Sequence, residues 1–326
     1  MKGTRKKVLA AILIGMVMPN ILINGVGLLR QTDPILEMTT PSLEEQNTEH
    51  DAPVYIRVKQ GEDVEEMELE DYLVGVVLGE MPVSFELEAL KSQAVVARTY
   101  TLRRKEAGTK HENADICTDP SCCQAYRDPG TYSGDEAMLD KLRSAVRDTC
   151  GQVLTYQGNL IEATYFSSSG GRTEDAVAVW GSDLPYLQAV ESPEEEYEDK
   201  YLSSVSFSPE TFQEALSRDL SGDCTDWFGN VCYTNGGGVD TMEIGGIKYE
   251  GTRLRQLLGL RSTAFSVSVT DDVITITTRG YGHRVGMSQY GAEAMALDGK
   301  SYTQILAHYY VGTQLQEFVD IGEQFR

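Results

Sequence analysis

Glu80 follows the apolar residues Val74, Val76, Val77 and Leu78, and Gly79-Glu80-Met81-Pro82 breaks that run before a long helical stretch. Proline lacks an N–H and restricts the residue before it, so the chain turns there and Glu80 sits at a forced turn. A carboxylate delivered among apolar side chains is costly to ionise, which raises its pKa. A glutamic acid that keeps its proton near neutral pH can act as a general acid. A solvated turn glutamate fits the same local pattern, so other clusters must decide between the two.

The densest group of metal-binding residue types is His111, Cys117, Cys122 and Cys123, within KHENADICTDPSCCQAYRD. One imidazole and three thiolates suit tetrahedral zinc, and Asp119-Pro120-Ser121 supplies a turn that brings Cys117 back toward the pair. Four protein ligands leave no position for water, so such a site is structural, which disfavours a zinc hydrolase. The alternative is a disulfide from Cys117 to one of the adjacent cysteines, with one thiol left over. Cys150 reads as core, and Cys224 and Cys232 as either a short-loop disulfide or two free thiols.

Two glycine-rich loops complete the set. Tyr165-Phe166-Ser167-Ser168-Ser169-Gly170-Gly171-Arg172-Thr173 offers hydroxyls and backbone N–H groups to a polar ligand, or forms a tight turn. GYGHRVGMSQYG, Gly280 to Gly291, places four glycines around His283, Gln289 and Tyr290, where a backbone can approach a ligand or another strand closely. Trp180 and Tyr186 add aromatic faces that stack on sugar rings or fill a core. No G-x-S-x-G elbow is present, so nothing favours a serine hydrolase.

The elements that must position these residues read as α+β, one domain of mixed β-sheets and helices. Helices are predicted over Glu86–Lys105, with Leu87, Leu90, Ala94 and Ala97 on one face, and over Asp135–Thr149 and Gln289–Leu297. A last helix starts from a capping box at Ser301 and Gln304 and runs to about Tyr310. Val54–Val58 alternates as a strand. One hairpin is predicted from Val153–Tyr156 and Ile161–Phe166, and another from Val267–Thr270 and Val273–Thr277 around Asp271-Asp272.

The 326-residue chain carries 28 Lys+Arg against 50 Asp+Glu, a net charge of -22, which repels nucleic acid and anionic membranes. The acidic run Glu191–Asp199 reads as an exposed loop. Lys2, Arg5, Lys6 and Lys7 precede an apolar stretch from Val8 to Leu29, the pattern of a signal-anchor with the N-terminus inside, preferred to a cleaved signal peptide. The expected organisation is an anchor over 1–29, a linker over 30–53, an extracytoplasmic domain over 54–318 and a tail over 319–326. That makes a single-pass protein of the cell membrane.

Taken in order, VVLGEMP with ALKSQAVVARTYTL, ICTDPSCCQAY, YFSSSGGRTEDAVAVWG, LGLRSTAF and GYGHRVGMSQYGAEAMA with ILAHYYVGT form a pattern. It resembles the stage II sporulation protein D family of peptidoglycan lytic transglycosylases, in the wider group that includes amidase-enhancer proteins. The resemblance implies that Glu80 protonates the glycosidic oxygen between N-acetylmuramic acid and N-acetylglucosamine. Glu80 then takes the C6 hydroxyl proton as a 1,6-anhydro ring closes. One carboxylate serves both steps. The resemblance also implies a substrate groove walled by Arg98, Tyr165, the loop Ser167, Ser168, Ser169, Gly170 and Gly171, and by His283, Gln289 and Tyr290.

Zinc at His111, Cys117, Cys122 and Cys123 is implied as well; Cys122 stands where relatives usually have histidine, and Arg284 where they often have glycine. Further implied are engulfment during endospore formation, a mother-cell membrane location facing the intermembrane space, and glycan already stripped of stem peptides. The implied partners are a sporulation amidase and a polytopic membrane protein. The competing reading is a non-catalytic glycan-binding or amidase-enhancing module, against which the retained GEMP motif counts.

Overall fold

The structure, a computed structural model, describes residues 53–108, 110–192 and 201–318. The expected anchor, nearly all of the linker, most of the acidic run and the tail lie outside the described residues. Among the described residues no helix is long and apolar enough to cross a membrane.

The chain begins with β1 (Tyr55–Gln60), β2 (Asp63–Glu68), α1 (Leu69–Glu80) and α2 (Leu87–Glu106). It continues through β3 (Ile116–Cys117), α3 (Glu136–Asp148), β4 (Gln152–Tyr156), β5 (Asn159–Leu160) and β6 (Tyr165–Phe166). Next come β7 (Gly171–Arg172), α4 (Ala176–Trp180), β8 (Glu191–Ser192), β9 (Leu202–Phe207), α5 (Pro209–Leu216), β10 (Phe228–Tyr233), β11 (Val239–Ile244) and β12 (Ile247–Glu250). The last elements are α6 (Gly251–Leu257), β13 (Phe265–Thr270), β14 (Val273–Arg279), β15 (Met287–Ser288), α7 (Gln289–Leu297), α8 (Tyr302–Tyr309) and β16 (Gln314–Glu317). The described fold is α+β, with several small sheets packed on helices.

α2 is the centre of the main core. The sequence suggests one apolar face, yet Val95, Val96, Thr99 and Leu102 are buried along with Leu90, Ala94 and Ala97. The helix packs against α1, α3, α7, α8 and β4, and a helix enclosed by that many neighbours buries more than one face, polar residues such as Ser92, Gln93 and Thr101 included. A second core gathers around Phe212, Trp227, Leu254, Ile274 and Ile276, between the sheets β13-β14-β9 and β10-β11-β12.

Local signals decide several ends. Ser301 Oγ accepts from Gln304 N while the Gln304 side chain accepts from Ser301 N, so the capping box exists as expected. Asp271 and Asp272 both have positive φ, the geometry of a two-residue turn between β13 and β14. The other hairpin differs from expectation. The ladder to β4 covers only Asn159–Leu160, with one further bond from Ile161 N to Leu154 O at 3.2 Å; the chain then turns, with Thr164 N donating to Glu162 O at 2.9 Å. Tyr165–Phe166 pairs in parallel with β15 instead, which joins the two glycine-rich loops.

Among the thiols outside the histidine cluster, one expectation is overturned and one alternative is decided. Cys150 is exposed rather than core, because it lies in the turn between the end of α3 and β4. Cys224 and Cys232 are free; Cys224 is buried in the second core and Cys232 lies on the exposed side of β10.

Candidate active site

Glu80 is the last residue of α1, and the chain leaves the helix in extended geometry at Met81, before Pro82. Gly75 and Gly79 lie four residues apart and so share one face of that helix. A Cβ on Gly75 would overlap the Tyr126 ring, and one on Gly79 would lie 3.0 Å from the Ala125 backbone. Their bare face lets residues 124–127 dock along α1, where Arg127 N donates to Gly75 O at 3.0 Å. This docking brings Ala125 N to within 2.6 Å of Glu80 Oε1.

Two side chains complete the set around the carboxylate. Tyr165 Oη lies 3.1 Å from Glu80 Oε1, and Gln289 Nε2 donates to Glu80 Oε2 at 3.4 Å. Burial pushes the Glu80 pKa above the usual glutamate range, and the hydrogen bonds from Ala125, Tyr165 and Gln289 oppose it without cancelling it. The Tyr165 pKa is also raised well above its ordinary value, by burial first and then by the Glu80 charge. Tyr165 therefore stays a donor.

Tyr165 Oη also lies 3.2 Å from Gln124 Oε1, and a phenol has a single proton to donate. Gln124 Nε2 donates to Thr101 Oγ1 at 2.9 Å, which turns its amide oxygen toward Tyr165. With Glu80 ionised, the phenol proton points to the carboxylate. With Glu80 protonated, Gln124 accepts it. The arrangement satisfies either protonation state of one carboxyl group.

The other expected groove residues separate into several roles. Tyr290 meets Phe85 edge-on at 5.2 Å, and its N–H donates to Ser167 O at 3.1 Å, so α7 and the serine loop are joined beside Glu80. Ser168 and Ser169 are buried: Ser168 bridges to Tyr281 through the backbone, and Ser169 Oγ accepts from Gly171 N at 3.0 Å. Gly170 has φ +74, and a Cβ there would press on the Arg279–Gly280 backbone. These residues shape the loop rather than offer hydroxyls to a ligand.

Arg98 is not a groove wall. Its guanidinium is fully buried, donates to both Glu70 oxygens at 2.8 and 2.6 Å, and reaches the carbonyls of Gln152 and Val146. Its partner lies 28 residues away in the sequence, so the pairing shows only in the fold. His283 is also a positioning group. Its ring lies between Phe166 and Trp180, accepts from Val285 N at Nδ1, and shares a hydrogen bond with the Tyr165 backbone. Burial, helped by the Arg255 charge, lowers its pKa to about 4, so the imidazole is neutral.

Arg284, which stands where relatives often have glycine, turns inward. It has φ +67 and is buried, with hydrogen bonds to the carbonyls of Ser169, Arg172 and Gly236 and an ion pair to buried Glu174 at 3.1 Å. A cavity of about 360 Å³ bounded by Trp180, Thr234, Asp240 and Thr252 contains none of the groups around Glu80, so the carboxylate chemistry lies elsewhere.

His111, Cys117, Cys122 and Cys123 are brought together, with one ligand atom from each within 4.8 Å of the others. His111 Nε2 lies 3.3 Å from Cys123 Sγ and 3.6 Å from Cys122 Sγ, and the two sulfurs are 4.0 Å apart. Bonds of about 2.0–2.3 Å in a tetrahedron give ligand separations of about 3.4–3.8 Å, so this donor set fits zinc with little movement. No disulfide forms among these thiols. The cluster ends at Cys123, and the next two residues are Gln124 and Ala125.

The sequence does not reveal Ala125, whose backbone N–H has no side-chain signature, or Gln124, whose amide partners Thr101 and Tyr165 lie 23 and 41 residues away. The available signal was the four-residue spacing of Gly75 and Gly79.

Comparison with known proteins places these residues in context. A family described as Stage II sporulation protein matches residues 58–156, which include Glu80 and the cysteine cluster. The chain is 42% identical over 277 residues to stage II sporulation protein D of Bacillus amyloliquefaciens, covering 82% of this chain and 80% of that protein. It is 40% identical over 273 residues to stage II sporulation protein D of Bacillus subtilis, covering 81% and 78%. An amidase enhancer of Bacillus subtilis is 32% identical over 300 residues, 76% of this chain and 40% of that protein.

Proposed function

The chain belongs to the stage II sporulation protein D family, and from that premise we propose that it is a lytic transglycosylase acting on peptidoglycan. The observation that carries this reading is the environment of Glu80: one half-buried carboxyl with a raised pKa, gripped by Ala125, Tyr165 and Gln289. Among the described residues no second carboxylate hydrogen-bonds to it, which suits a reaction that needs one acid and one base in succession.

In the first step Glu80 gives its proton to the glycosidic oxygen as the bond from muramic acid C1 breaks. The C6 hydroxyl oxygen then bonds to C1, and its proton returns to Glu80. Tyr165 donates to the carboxylate between these events and to Gln124 when the proton is back. The product has a 1,6-anhydro end, and no water is consumed.

The reading extends to the cell. The domain acts outside the cytoplasm on a single-pass anchor, during engulfment, on glycan stripped by a sporulation amidase, beside a polytopic membrane protein. His111, Cys117, Cys122 and Cys123 hold a structural zinc that fixes the start of the segment gripping Glu80. Digesting purified glycan strands and weighing the fragments tests the chemistry. Anhydro ends support it; hydrated reducing ends indicate a hydrolase. The identity to an amidase enhancer supports a second reading, a non-catalytic module, under which the strands are bound and left uncut.

A further inference from the structure

In a chain of net charge -22, the stretch 251–284 contains five arginines and only two carboxylates, Asp271 and Asp272, both in the turn of the β13–β14 hairpin. Arg284 is paired with Glu174. Among the described residues, neither Arg255 nor Arg261 forms an ion pair. Arg255, on α6, is half-buried, and its Nε reaches only the Leu260 carbonyl at 3.4 Å. Burial draws its pKa below the usual arginine value, and no carboxylate counters that pull. A partly desolvated cation without an anion is unfavourable in an isolated domain, and its lack of a carboxylate partner stands out in so acidic a chain.

The surroundings place this cation excess beside the loops that flank Glu80. The Arg261 guanidinium lies 5.6 Å over the Tyr281 ring, and Arg261 O accepts from Gly282 N at 3.0 Å. Tyr281 bridges to Ser168 of the serine loop. Tyr281 is 46% exposed and Trp180 is 42% exposed, and the Trp180 ring touches His283, two residues beyond Tyr281. Exposed aromatic rings next to unpaired guanidinium groups suit a ligand with a flat sugar face and an anionic substituent.

We propose that Arg255 and Arg261, with the rings of Tyr281 and Trp180, form a subsite for a carboxylate carried on the glycan strand. The proposal rests on the reading of peptidoglycan as the substrate. Two carboxylates are available in that polymer. The lactyl carboxyl of muramic acid is free only after the stem peptide is removed, and the stem peptide has carboxyls of its own. The aromatic faces favour the lactyl group, because it lies within a few bonds of the sugar ring. The subsite thereby selects stripped strands over peptide-bearing ones.

Binding measurements on the full chain test this, using the Glu80→Gln form so that strands persist. The ligands are stripped glycan, the same glycan with its lactyl carboxyls amidated, peptide-bearing glycan, and a chitin oligosaccharide without carboxylates. The expected result is about tenfold tighter binding of stripped than of amidated glycan. Arg255→Gln/Arg261→Gln should abolish that difference while leaving chitin binding unchanged, and Arg255→Lys/Arg261→Lys should restore part of it. Equal weakening on all four ligands, or no weakening on any, overturns the subsite. A loss on peptide-bearing glycan equal to that on stripped glycan overturns the lactyl assignment. Because binding is the readout, a wild-type protein that cuts nothing would refute the transglycosylase reading without touching this result.

Discussion

Ala125 N–H points at Glu80 Oε1 across 2.6 Å, and this bond ties the segment after the cysteine cluster to the end of α1. Burial pushes the acid's pKa up, while Ala125, Tyr165 and Gln289 pull it down. The balance between these effects sets the pH range in which Glu80 holds a proton to give.

Removing Tyr165 from that balance has a defined sign. Its hydrogen bond lowers the Glu80 pKa, so Tyr165→Phe raises that pKa further and keeps Glu80 protonated to higher pH. The alkaline limb of kcat/KM is expected to move upward. Activity at the optimum should fall about tenfold, part of the 10²–10⁴ that acid–base catalysis supplies. An alkaline limb that stays in place would show that Tyr165 does not act on Glu80.

Arg98→Gln should act on stability rather than on substrate binding. It leaves Glu70 without the guanidinium that holds both its oxygens and costs about 3 kcal/mol. A fall in Tm of roughly 10 °C is expected, with KM of the remaining folded enzyme unchanged. An unchanged Tm with a raised KM would return Arg98 to the substrate.

Arg284→Gly satisfies the positive φ at that position yet strands buried Glu174. The cost expected from denaturant unfolding is about 3–5 kcal/mol, the range for breaking a buried pair from one side. Adding Glu174→Gln should recover part of it. A neutral single variant would mean that the pair contributes nothing.

Protein purified under reducing conditions should contain one zinc per chain, and His111→Ala should lower that content. Chelation should lower Tm, since a metal bound only by the folded state stabilises it. Substoichiometric zinc that ignores His111→Ala would remove the metal assignment.

Features set by neighbours in sequence were legible before the fold was known. Pro82 forces the turn at Glu80, Ser301 and Gln304 cap α8, and Gln289–Leu297 is a helix with the bounds its pattern suggests. α1 was less clear, because Val74-Gly75-Val76-Val77-Leu78-Gly79 has weak intrinsic helix propensity. Its helix is held by docking of residues 124–127 on the glycine face. Long-range pairs were hidden for the same reason: Arg98 with Glu70, Arg284 with Glu174, and Ala125 with Glu80 become neighbours only through folding. Three expected groove residues, Arg98, Ser168 and His283, are therefore supports, while Tyr165, Gln289 and Tyr290 stand at or beside the acid.

The most direct test of the role of Glu80 compares wild type with Glu80→Gln on purified, stripped glycan strands, with fragments identified by mass and strand binding measured in parallel. The amide keeps the shape and the Ala125 hydrogen bond but has no proton to give. Anhydro-ended fragments from wild type, with intact strands bound equally well by Glu80→Gln, are the expected result. Equal cleavage by both proteins, or hydrated ends from wild type, would contradict it.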